Sequence, residues 1–310
     1  MTVPRLDFSS LMPRTFLEHY QQPGIPVIIT GLLHPQSNWN LDYLCQQLST
    51  QEFLLRRYGK SRYQEDKRQW QNIGSGVDTT STPFIEYAQM LRSQEAHQQD
   101  VYLAKCSLKS TPLNETEALS IVRDKLPQLG LEKPITDFNL WVGPGGHVEC
   151  LHYDQMDGTL FQLYGTKKVV LFPPSQTSNL YPFPFYIHLY KGLKLRSWFS
   201  QLYPDRPDFQ SFPKFHQALQ YKQEVLLNPG EILYIPAGWW HEVTALGDEM
   251  VCSVNRFWRV YPTSRAIFSW TRLRAYLGSL CAIPYVALSL ILALASPQRQ
   301  QKLKEIWQMI

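Results

Sequence analysis

The sequence has few charges, few cysteines and no long run of one charge sign. Charged residues make up 18% of its 310 positions and hydrophobic residues 44%. That balance excludes a disordered chain and a coiled coil, both of which carry far more charge. The five cysteines (Cys45, Cys106, Cys150, Cys252, Cys281) are odd in number and lack CxxC spacing. They read as free thiols in a reducing compartment, which excludes a disulfide scaffold and makes the cytoplasm the expected location. Met1 to Ser10 carries Pro4, Arg5 and Asp7 and no apolar run, against a secretory signal. No lysine or arginine run marks a phosphate-binding surface, and the net charge is only +4. Nucleic acid therefore stays open as a partner without a feature that calls for it. No internal repeat or low-complexity segment stands out.

What is present is a dense, turn-rich chain, with 13% aromatics and 22 prolines. A chain of this length buries roughly 75% of its unfolded surface, so folding needs neither disulfide nor metal. In the first hundred residues, Pro26 to Thr30 reads as a strand ended by Gly31. Asn40 is placed to cap a helix over Leu41 to Leu48. Asn114 followed by Glu117 suggests a capping box for a helix ending near Pro127. From Asp137 to Trp258 short β-rich runs alternate with Gly/Pro turns, interrupted by an aromatic-rich stretch from Tyr181 to Phe215. This pattern predicts an antiparallel sandwich or barrel. The expected division is 1–100 as N-terminal helical and strand elements packing on the barrel, 101–262 as the barrel, and 263–310 as C-terminal helices.

Tyr276 to Ala295 has no charge over 20 residues, long enough to span a bilayer, but Pro284 splits it into two shorter apolar pieces. Two readings stay open: a buried or dimer-forming helix, and a membrane anchor or interfacial helix. Arg299, Lys302 and Lys304 follow and suit a cytoplasmic flank if it inserts.

The chemistry sits around His152-Tyr153-Asp154. In a strand, residues i and i+2 point to one face, so His152 and Asp154 converge. A further imidazole would complete the two-histidine, one-carboxylate triad of non-heme iron oxygenases, which leaves coordination positions open. His241, after the turn in Ile235-Pro-Ala-Gly-Trp-Trp, is the candidate. An HxD alone occurs by chance in many chains; the combination of the two pieces in one β region carries the reading. In the strand from Thr166 to Phe172, Lys167 and Lys168 face opposite ways, so one points inward if the sheet closes. A buried ammonium needs an anion, and the distal carboxylate of 2-oxoglutarate would serve. The plainer alternative is a bulge that leaves both solvated.

The run HYD, GTLFQLYGTKKVVLFPP, LYPFP, NPGEILYIPAGWWHEV and SVNRFW resembles the JmjC/cupin-like 2-oxoglutarate oxygenases. Within them it is most similar to the asparaginyl hydroxylases that modify hypoxia-inducible factor. The resemblance covers Val101 to Trp258, with Pro26 to Gly31 and Trp39 to Leu44 also fitting. It implies a mainly β (α+β) fold, a double-stranded β-helix of the jelly-roll type. It implies Fe(II) on His152, Asp154 and His241, with O2 as the oxidant. It places 2-oxoglutarate on Lys167, with Tyr102 as a second donor and Asn255 lining that pocket. It further implies a hydroxylase acting on a protein or peptide side chain, and dimerisation through the C-terminal helices.

Two positions depart from the family. Glu149 stands where a Thr or Ser hydrogen-bonds the cosubstrate; its carboxylate would repel another unless protonated or turned away. Gly158 stands where the hydroxylase has an Asn near the iron. Glu149 keeps two other readings open: a metal-binding cupin enzyme that does not use 2-oxoglutarate, and a non-catalytic binding module.

Overall fold

The structure, a computed structural model, describes residues 2–33, 39–73 and 77–309. In chain order the strands are β1 (Arg5–Asp7), β2 (Val27–Thr30), β3 (Glu52–Arg57), β4 (Asp78–Pro83), β5 (Val101–Ser107), β6 (Asn139–Pro144) and β7 (Val148–Tyr153). They continue as β8 (Asp157–Tyr164), β9 (Lys167–Phe172), β10 (Gln223–Leu227), β11 (Ile232–Ile235), β12 (Trp240–Ala245) and β13 (Met250–Trp258). They form a four-stranded sheet, β10-β9-β12-β7, and a nine-stranded sheet, β1-β2-β11-β8-β13-β6-β5-β3-β4. The small sheet and the central β11-β8-β13-β6 make the expected double-stranded β-helix. The strands of the first hundred residues and β5 extend the large sheet at both edges.

The alternating pattern sorts the side chains. Val169 and Leu171 of β9 pack between the sheets with Ile28, Leu233 and Ile235. Val170 and Phe172 point to the outer side, among Leu151, Tyr153, Trp240, Phe215 and Ala275. By the same period Lys167 faces in, at 4% exposure, and Lys168 faces out to Asp205. The outer face of the large sheet is covered by the helices Leu41–Leu48, Phe84–Arg92 and Glu117–Lys125 through Leu44, Leu48, Phe84, Tyr87, Leu119 and Val122.

Asn40 caps its helix as expected, its side chain accepting from the Tyr43 amide at 2.9 Å. The capping box at Asn114 does not form. Pro112 opens an extra 3-10 turn, Pro112–Glu115, and the helix starts only at Glu117 after Thr116. The Thr116 hydroxyl donates to Leu113 instead of capping.

Pro284 does not split the C-terminal segment. One helix runs Trp270–Leu294, capped by Ser269. It packs through Thr271, Arg274, Ala275, Gly278 and Ala282. Gly278 is required by close approach, since a Cβ there would meet Ser197 Oγ at 2.6 Å. The opposite face, including Leu273, Tyr276, Leu280 and Ile283, is exposed. Among the described residues this is the one helix long and apolar enough to cross a membrane.

A buried polar knot ties this C-terminal region to the barrel. Asp157 is fully buried and accepts from Tyr234 Oη at 2.9 Å, from the Ala237 amide at 2.8 Å, and from Arg265. Removing one member of a buried pair leaves the others uncompensated. Asp157→Ala is therefore expected to lower the unfolding free energy by about 3–5 kcal/mol, read from the urea midpoint.

Candidate metal centre

The register of the small sheet builds the centre. β12 pairs with β7 so that His241 and His152 are direct cross-strand partners. Such partners share a face. Asp154 follows His152 by two residues, just past the end of β7. The ligand atoms of His152, Asp154 and His241 lie within 4.8 Å of one another. The two imidazole centroids are 4.3 Å apart.

Backbone carbonyls orient both rings. His152 Nδ1 lies 2.8 Å from Cys150 O, and His241 Nδ1 lies 3.0 Å from Trp239 O. Each Nδ1–H donates there, which leaves each Nε2 as a free lone pair. Phe199 stacks on His152 at 4.8 Å and fixes its plane. His241 Nε2 is 3.5 Å from Asp154 Oδ2. Burial first, then the neighbouring His152, pushes the His241 pKa down to about 4, so the ring is neutral and the contact is not an ion pair. Two imidazoles and a carboxylate on one side are the donor set that an Fe(II) ion takes, with positions left open.

The triad opens into a cavity of about 340 Å3. Lys167, Tyr102 and Asn255 all line it. Lys167 Nζ donates to Ser253 Oγ. Burial lowers its pKa to about 8, against the charges of Cys252 and Glu149. Asn255 Oδ1 accepts from Trp141 Nε1 at 2.9 Å, which turns its amide nitrogen away from that partner. Tyr102 stacks on His147 at 3.8 Å. Its ring occupies the place of a Cβ at Gly143, only 1.8 Å away, so only glycine admits it. His147 Nδ1 pairs with Asp100 at 2.7 Å. Its buried Nε2, in the cavity wall, has no partner among the described residues. A buried cation and an orphaned ring nitrogen in one cavity fit an anionic, oxygen-rich cosubstrate.

Glu149 and Gly158 also line this cavity. Glu149 acts on Lys167 and on Arg196, so its carboxylate is set among cations. Trp240 is core, packed edge-on to Tyr153, while Trp239 donates to Gly24 O. Sequence reasoning missed Arg56, Lys105, Arg196, Trp141 and Gly143. Gly143 belongs to a GPGG run that reads as a turn, whereas β6 continues through it. The three cations carried no motif.

The chain belongs to the cupin-like domain family, which it matches over residues 13–264. It is similar to the lysine-specific demethylase JMJ31 of Arabidopsis thaliana, 30% identical over 188 residues, 60% of this chain and 32% of that protein. It is similar to lysine-specific demethylase 8 of Xenopus tropicalis, 30% identical over 268 residues, 83% of this chain and 55% of that protein. It is also similar to tRNA wybutosine-synthesizing protein 5 of Homo sapiens, 27% identical over 277 residues, 85% and 79% of the two chains. The chain thus spans between a third and a little over half of these two demethylases. These similarities do not single out the asparaginyl hydroxylases.

The depressed pKa of His241 has a consequence for the metal-free protein. Between its value of about 4 and the ordinary 6.5 the unfolded chain binds the proton that the folded chain refuses. Stability is expected to fall as pH drops through that window. Melting temperatures of metal-free protein across it check this, and His241→Gln is expected to flatten the slope.

Proposed function

We propose that the protein is an Fe(II)- and 2-oxoglutarate-dependent oxygenase that hydroxylates a protein or peptide side chain. The observation that carries this is one cavity holding both the His152, Asp154, His241 donor set and the buried Lys167. Iron bound there would supply the activation of O2. The protein's own part is to hold and to exclude. The carbonyls of Cys150 and Trp239 fix the two imidazoles. Lys167, Tyr102 and Asn255 would take the cosubstrate. Leu160, Ile235, Val243 and Phe257 give the cavity an apolar wall that limits water. Assignment to the asparaginyl-hydroxylase branch rests on the resemblance of the sequence motifs from HYD to SVNRFW.

Glu149 supports a second reading. It lines the same cavity and acts on Lys167, so it is available as that lysine's own counter-charge. In that case the protein is a metal-dependent cupin enzyme without 2-oxoglutarate.

Anaerobic titration with Fe(II) and then 2-oxoglutarate separates these. The oxygenase reading expects a visible charge-transfer band that needs both additions and is lost in His152→Ala. Lys167→Met is expected to weaken 2-oxoglutarate binding by about tenfold or more while leaving metal binding intact. Affinity is expected to fall above about pH 8 as Lys167 loses its proton. Metal binding without a band transfers the assignment to the second reading. No metal binding overturns both.

The same proposal seats a second copy on the C-terminal helix. Leu273, Tyr276, Leu280 and Ile283 are exposed at alternating spacings of three and four, the seam of a helix–helix contact. Light scattering is expected to give twice the 36.1 kDa chain mass, and Leu280→Asp with Ile283→Asp the single mass. Solubility only in detergent would assign the face to lipid instead.

A further inference from the structure

The register of the small sheet gives Lys167 a neighbour that the metal does not use. Ala245 on β12 is the cross-strand partner of Lys167 on β9, and on its other side its amide donates to His147 O at 2.9 Å. Lys167 and His147 therefore flank Ala245 in one row, their backbones about 10 Å apart at two strand spacings. Cross-strand neighbours share a face, and all three residues line the cavity. Ala245 is small, so the space above it stays open between two larger side chains. The row lies four residues along β12 from His241, at the end of the cavity away from the metal ligands.

His147 is fixed at that end by a buried network. It is 3% exposed, and its Nδ1–H donates to Asp100 Oδ1 at 2.7 Å. Asp100 is buried as well and accepts from Tyr63 Oη at 2.8 Å. Its backbone is held in the left-handed region at φ 49, a conformation that surrounding structure must impose on a non-glycine residue. Burial works against its charge, yet the His147 ring beside it keeps the Asp100 carboxyl below its ordinary value. Arg62, the other cation acting on Asp100, stacks on Tyr58 and Trp70 at 5.0 and 4.1 Å instead of joining these bonds. Tyr102 lies flat on the imidazole at 3.8 Å and Tyr58 packs on it at 5.0 Å, which sets its plane.

With Nδ1 committed to Asp100, Nε2 is the ring nitrogen left for a ligand. It is buried and has no partner among the described residues. Glu149, two residues on, lines the same cavity and still leaves Nε2 unpaired. A buried polar nitrogen without a partner is costly, so a partner belongs opposite it. A carboxylate there selects the imidazolium, whose second N–H it accepts and whose charge Asp100 balances.

We infer that His147 is a second anchor for the distal carboxylate of the cosubstrate, set across Ala245 from Lys167. This rests on the oxygenase reading above. One carboxylate oxygen meets Lys167 Nζ, which Ser253 Oγ already orients, and the other meets His147 Nε2–H. Asp100 acts through the ring and is a positioning residue.

The test uses the full chain with Fe(II) under anaerobic conditions. It compares 2-oxoglutarate with 2-oxobutanoate, which has the same keto-acid end and no distal carboxylate. Both are read by the charge-transfer band. The unmodified chain is expected to bind 2-oxoglutarate at least about tenfold more tightly. His147→Leu is expected to weaken 2-oxoglutarate about tenfold or more and to leave 2-oxobutanoate unchanged, with His147→Gln, a neutral donor, in between. Asp100→Asn is expected to give a smaller loss, again confined to 2-oxoglutarate. Unchanged 2-oxoglutarate affinity in both His147 variants overturns the inference. Equal losses for the two acids also overturn it, since His147 would then serve only the shape of the cavity. If His147→Leu gives no band with either acid, His147→Gln decides by the same comparison. Absence of the band in the unmodified chain with either acid overturns the oxygenase reading instead, so the two failures are distinct.

Discussion

The centre depends on one constraint, the antiparallel register of β12 on β7. It makes His241 the cross-strand partner of His152 and leaves Asp154 two residues further on. Side chains alternate along a strand, so a slip of one residue would turn His241 to the outer face and dissolve the donor set. Packing resists the slip. Trp240 is the partner of Tyr153 on one side and of Phe172 on the other, and all three are fully buried. The turn entering β12 is tied as well. The Gly238 amide donates to Asp154 O at 2.8 Å, and the Ala237 amide to Asp157. Gly238 has φ +83, and a Cβ there would meet Thr271 Oγ1 at 2.4 Å. The loop that delivers His241 is thus clamped between Asp154 and the start of the C-terminal helix.

The cavity concentrates charge where the fold alone would place apolar side chains. Lys167 occupies a β9 position equivalent to Val169 and Leu171, and a hydrophobe there would serve stability better. Burial depresses its proton affinity and that of Arg196 alike. Such perturbed groups, gathered in one cleft, mark a site shaped for a ligand more than for the stability of the fold. Glu149 fits that picture. A carboxylate in place of a hydroxyl shares the cavity wall with Lys167 and Arg196, whose positive charges offset it.

The legible parts of the sequence were those with short-range geometry. The period-two runs marked the barrel strands, and the i, i+2 spacing of His152 and Asp154 placed them on one side. Alternation alone also limited the buried lysine to Lys167 or Lys168, and only the identity of the facing sheet decided between them. His241 was reachable through its motif, because nothing local indicates which strand it joins. Arg56 and Lys105 were not legible. Arg56 enters through a long-range pairing, and Lys105 through a bulge that breaks the alternation a reader relies on. Pro284 misled for a related reason. It lies on the exposed side of its helix, where the disturbed turn interrupts no packing and the helix continues.

The division of labour follows the topology. His152, His241, Lys167 and Asn255 lie on strands of the central double-stranded β-helix, and Asp154 follows β7 directly. Arg56, Tyr102 and Lys105 lie on β3 and β5, which extend the large sheet beyond it, and Arg196 on the segment between β9 and β10. The candidate metal centre is thus built into the hydrogen-bonded frame, while Arg56, Lys105 and Arg196 of the cavity wall are carried by additions to it. Substitutions in those additions can reverse the sign of the cavity without touching the register of β12 on β7. That is a physical reason why one cupin-like frame accompanies names as different as lysine demethylase and tRNA-modifying protein, and why the frame itself is no guide to substrate. In this chain the added elements contribute arginine and lysine to the cavity wall that also holds Asp154.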